Sequence, residues 1–167
     1  LIIPILLLLL GSVVAQNDPD KEEWIQLFNG KDLEGWDIKI KGYDLNDNFG
    51  NTVRVEDGLL KVVYDQYDTF DNRFGHFFYR EKFDFYRIAV EYRFIGEQVP
   101  GGPGWAIKNS GIMFHSQSAK SMGKDQDFPI CIEVQLLGGA GPEERPTANL
   151  CTPGTHGGVD GRVVARQ

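Results

Sequence analysis

The stretch TVRVEDGLLKVVY, residues 52–64, decides the fold class, because two apolar alternations flank the pair Asp57-Gly58. Side chains alternate faces along a strand, and Asp-Gly readily takes the left-handed backbone that a two-residue hairpin turn demands. The stretch therefore reads as a β-hairpin. Working outward, similar runs recur: WIQLF (24–28), GWDIKI (35–40), GHFFYR (75–80), FYRIAVEYRFI (85–95), SGIMFHS (110–116) and CIEVQLLGG (131–139). Glycine, proline and polar clusters punctuate them, as between strands. In residues 85–95, Tyr86, Ile88, Val90, Tyr92 and Phe94 share one face, and Arg87, Glu91 and Arg93 the other. That is the pattern of a strand with its core on one side and water on the other. No window sustains helical periodicity, and no repeat or low-complexity tract interrupts the pattern. The expectation is an all-β, antiparallel β-sandwich of jelly-roll type, with Trp24 and Trp36 in its core.

Composition agrees. The 167 residues suit one domain, and 20 Gly, 11 Phe, 6 Tyr and 3 Trp favour short strands joined by tight turns. A net charge of −7 leaves no basic surface to neutralise phosphates, which excludes a nucleic-acid binder and favours neutral or cationic partners.

The opening LIIPILLLLLGSVVA, residues 1–15, reads as the apolar region and cleavage site of a secretory signal. It is shorter than the about 20 apolar residues needed to span a bilayer, so no stable membrane span is expected. Residues 16–23 form a polar leader, and residues 24–167 form the domain. The absence of a starting Met, and a final GGVDGRVVARQ (157–167) that reads as a turn entering a strand, suggest a fragment cut at both ends. Export would permit Cys131 and Cys151 to pair. Their spacing suggests neither a framework nor a thiolate metal site, so two separate thiols are expected.

The residues that carry chemistry gather around CIEVQLLGG. Alternation puts Cys131, Glu133, Gln135 and Leu137 on one face, and Ile130, Ile132, Val134 and Leu136 on the other. A carboxylate and an amide on one face of an apolar strand mark either open water or the floor of a site. His115 ends the run NSGIMFH on the same face as Gly111 and Met113, and its imidazole suits acid, base or metal-ligand work. Asn109 and Ser110 either hydrogen-bond a ligand or cap a turn. Trp105, in GPGWAIKN, offers a ring on which a pyranose could stack. His156 lies in the Gly/Pro-rich loop 138–158, a second nitrogen ligand if that loop folds over Glu133. A glycosidase with two carboxylates is disfavoured, because the strand positions that would carry the second acid hold Gln135 and Gly138.

Three segments, LFNGKDLEGW (27–36), NSGIMFHS (109–116) and IEVQLLGG (132–139), together resemble the 3-keto-disaccharide hydrolase domain. The resemblance implies a concanavalin-like jelly roll over residues 22–167, found in exported bacterial proteins. It further implies cleavage of glycosides already oxidised at C3, with a divalent metal ion in some members. For that chemistry Glu133 and His115 are the catalytic candidates, and Gln135, Asn109, Ser110 and Trp105 the substrate-binding ones. Glu133, His115 and His156 are then the metal candidates. Many family members carry Arg near position 115, from which His115 departs. The reading from another class is a lectin-like carbohydrate-binding module without chemistry, since a fold alone does not separate the two.

Overall fold

The computed structural model describes residues 24–139, 141–142, 144–159 and 162–166; the expected signal and leader lie outside them. Among the described residues the chain is all-β, with antiparallel pairing throughout and no α-helix.

The hairpin forms as expected. β2 (Val53–Glu56) and β3 (Leu59–Val62) pair antiparallel, and Asp57 and Gly58 at the turn have φ of +55° and +74°. Such a left-handed pair twists the backbone as the two strands require. Ahead of it, β1 (Trp36–Ile40) pairs with β4 (Gly75–Tyr79). Ile38 and Ile40 of β1 meet Val53 of β2 in the core, with Leu33, Tyr43, Phe49 and Leu60 packed around them. Each fully buried aliphatic side chain contributes about 1.5–3 kcal/mol, so this cluster holds the β1–β4 ribbon to the hairpin.

The same β1 strand buries a lysine. Lys39 is 3% exposed, and its Nζ donates to the carbonyls of Ile40 (3.1 Å), Tyr43 (2.7 Å) and Lys124 (3.1 Å). An ammonium carries three donors, and here each finds an oxygen, which offsets the cost of burial. The bond to Lys124 ties the excursion 118–127 to β1.

A three-stranded sheet follows, in the order β5 (Asn109–Phe114), β6 (Ile132–Leu137), β7 (Asn149–Cys151). β8 (His156–Val159) pairs with β9 (Arg162–Arg166) in a last hairpin. The loop expected over 138–158 is thus broken by two short strands. A strand of three residues shows no alternation that a sequence could reveal.

Two expected strands do not form ladders among the described residues. Residues 24–28 have no partner, and Trp24, expected in the core, is 60% exposed. Residues 85–95 join no ladder among the described residues, and Ile88, Val90 and Tyr92 on the supposed core face are all exposed. The segment is held at its ends: Tyr86 stacks on Phe114 (6.1 Å between centroids), and Phe94 lies against Gly138. It therefore runs alongside β5 in the opposite direction. Alternation reports which residues would suit a strand, whereas a ladder also needs a neighbouring backbone.

Candidate functional site

Residues paired across an antiparallel ladder share a face. One face of the three-stranded sheet accordingly carries Asn109, Gly111 and Met113 of β5, Glu133, Gln135 and Leu137 of β6, and Asn149 and Cys151 of β7. The alternation expected for β6 holds over 132–137.

Glu133 stands between Met113 on β5 and Cys151 on β7, with Cys131 two positions before it. Burial pushes its carboxyl pKa up from the ordinary range. No hydrogen bond or cation among the described residues offsets that burial. The two thiols respond in the same direction. Burial, with the Glu133 charge and Cys151 adding to it, pushes Cys131 up to about 11. Burial and then the Glu133 charge raise Cys151. Both cysteines are free thiols, as expected, and both stay protonated near neutral pH.

Beside the carboxylate runs a row of amides. Asn149 Nδ2 donates to Gln135 Oε1 (3.1 Å), Gln135 Nε2 to Asn109 Oδ1 (3.4 Å), and Asn109 Nδ2 to the Trp105 carbonyl (3.1 Å). The row crosses all three strands and ends at the short turn that carries Trp105. Arg145 braces that turn from the loop side, its guanidinium donating to the carbonyls of Gly138 (2.9 Å) and Trp105 (3.4 Å). The Trp105 ring stacks on Phe74 (5.6 Å, 13° between planes) and is 56% exposed.

The structure separates the other candidates from this group. Ser110 pairs with Leu136, on the opposite face of the sheet from Gln135. His115 was expected beside Gly111 and Met113, but β5 ends at Phe114 and His115 takes a left-handed backbone (φ +47°). That turn breaks the alternation. The ring lies 5.8 Å from Tyr86 and lines a small crevice with Phe114 and Ile132, side chains of the other face. His156 opens β8, exposed and paired with Arg166. Among the described residues no group of three His, Cys, Asp or Glu side chains comes together to hold a metal ion. Among the described residues, Glu133, His115 and His156 are thus not brought together.

Sequence reasoning missed Asn149, whose amide joins the row, and gave Gly111 no role beyond its place on the strand. Asn149 lies in a three-residue strand with no readable pattern, and a Cβ at Gly111 would meet the Glu133 side chain.

No helix among the described residues is long and apolar enough to cross a membrane. No curated protein and no solved structure matches the chain. The family described as the 3-keto-alpha-glucoside-1,2-lyase-like domain matches residues 23–164. That match spans most of the 167 residues and contains every element of the site, and the chain belongs to this family.

Proposed function

We propose that this protein is an exported enzyme that cleaves 3-keto-glycosides, with Glu133 as the base. The single observation that carries the reading is the Glu133 carboxylate: burial raises its pKa, no partner among the described residues neutralises it, and it lies beside a row of side-chain amides. A 3-keto group acidifies the C2 proton. Glu133 takes that proton, and the C–H electron pair becomes an enolate across C2 and C3. The enolate collapses to restore the ketone, a C1–C2 double bond forms, and the glycosidic C1–O bond breaks. The departing oxygen takes a proton, which the newly protonated Glu133 can return. Water adding at C1 of the unsaturated ketone then yields the free 3-keto sugar.

Gln135 and Asn109 offer donors and acceptors to the ring hydroxyls, and the exposed Trp105 ring offers an apolar platform. Export rests on the signal-like run at residues 1–15 and implies a secreted or periplasmic protein. A divalent cation enters through the family resemblance alone, so no step is routed through one.

The test is to follow a 3-keto-disaccharide by NMR with wild type and Glu133→Gln, each with and without a chelator. Turnover should fall by about 100-fold or more in Glu133→Gln, the size expected for loss of a positioned base. The chelator arm decides whether a cation takes part. A second reading, a carbohydrate-binding module, is favoured by the exposed Trp105 beside the amide row. Saturable binding of intact sugar without turnover, equal in both proteins, would establish it and overturn the enzyme.

A further inference from the structure

Gly111 is a glycine that its backbone does not require. It sits within β5 and is not among the residues with positive φ, so alanine could adopt the same conformation. Glycine in a strand interior gives up packing and costs conformational entropy. Something else must favour it here.

Across the ladder Gly111 pairs with Gln135, which puts Glu133 diagonally next to it on the same face. A Cβ built on Gly111 would stand 2.6 Å from both Cγ and Cδ of Glu133, and nearer still to Oε1. Real Cβ atoms essentially never make such contacts. The Glu133 side chain thus leans over the bare Gly111 backbone and occupies the volume where a side chain at 111 would be.

We propose that Gly111 is a positioning residue: the space left by its missing side chain is the seat that holds the Glu133 carboxylate in its reactive direction. Met113 opposite Glu133 on β5 and Cys151 opposite it on β7 flank this direction, so the open position at 111 is the one into which the carboxylate folds. A methyl group at 111 turns the carboxylate out of its seat. The catalytic half of this inference rests on Glu133 being the base. The structural half does not.

The experiment compares wild type, Gly111→Ala, Glu133→Ala and the double variant in the full chain, by urea denaturation and by turnover of a 3-keto-disaccharide. Gly111→Ala should lower the urea midpoint when Glu133 is present, and leave it unchanged or raised when residue 133 is alanine. An equal loss in both backgrounds would overturn the seat. If Gly111→Ala fails to fold, recovery of folding in the double variant supports the seat, and failure of the double variant also overturns it. In turnover, Gly111→Ala should lower kcat by about 100-fold, the penalty of an ångström-scale misplacement, with KM within about twofold of wild type. Full kcat in Gly111→Ala would overturn the positioning role. Coupled stabilities in a wild type that shows no turnover would instead overturn the enzyme reading and leave the seat standing.

Discussion

Whether Glu133 is charged near neutral pH depends on water reaching its carboxylate, which is partly buried between the neighbouring strand positions Met113 and Cys151. A raised pKa makes a carboxylate a stronger base once ionised and keeps it protonated further up the pH scale. The acidic limb of kcat/KM should therefore lie above the ordinary Glu value of 4.5, with activity rising as Glu133 ionises. A pH–rate profile checks this, and a limb at or below 4.5 would remove Glu133 as the titrating base. At this scale alternation placed Glu133 and Gln135 on one face correctly, because β6 is regular. It misplaced His115, because one left-handed residue after Phe114 ends the strand, and no neighbouring residue type announces it.

Among elements, the β2–β3 hairpin illustrates a feature that local chemistry dictates. Its turn needs positive φ at both central residues, and Gly58 at +74° meets that need without steric cost. Arg54 and Lys61 face each other across the ladder, and the acids around them offset the like charges. Arg54 binds Asp65 through both Nη atoms (2.9 and 2.6 Å), and Lys61 reaches Glu56 at 3.0 Å. These pairs add little to stability, because solvent screens exposed charges. The turn matters more. Gly58→Ala should cost about 1–2 kcal/mol, the penalty of a left-handed L residue, read as a lower urea midpoint with an unchanged m-value. A midpoint equal to wild type would show that the hairpin does not hold this turn. The segment 85–95 is the contrasting case, with a strand's alternation and no ladder among the described residues.

For the whole molecule, burial of a titratable ring links stability to pH. His76 of β4 lies against Phe128, and its Nε2–H donates to the Asp127 carbonyl at 2.7 Å. Burial lowers its pKa from 6.5; the carbonyl bond opposes this, Lys39 adds to it, and the Asp127 charge opposes it. The unfolded chain therefore takes a proton near pH 6.5 that the folded chain refuses. Stability is lost as pH falls through that value. Glu133 acts in the opposite sense and lower on the scale: its raised pKa favours the folded state as pH falls toward 4.5. Urea midpoints at pH 7.5 and pH 5.5 should show wild type losing stability, and His76→Asn, which keeps a donor, losing less. Equal losses would mean that His76 titrates as freely in the folded chain as in the unfolded one.

The all-β class, the hairpin at Asp57-Gly58, the strands around Ile38 and Val134, the face shared by Glu133 and Gln135, and the family are all legible in the order of residues. Each follows from interactions among residues close in the chain, or from short ordered motifs, and period-two alternation carries that information directly. Only the tertiary structure decided that Asn149 joins Gln135 and Asn109, that His115 turns from Glu133, that Trp24 is exposed and that the carboxylate lies over Gly111. Those outcomes depend on ladder register between distant segments, and on the space one side chain leaves for another. Neither quantity is written in the alternation of a single strand.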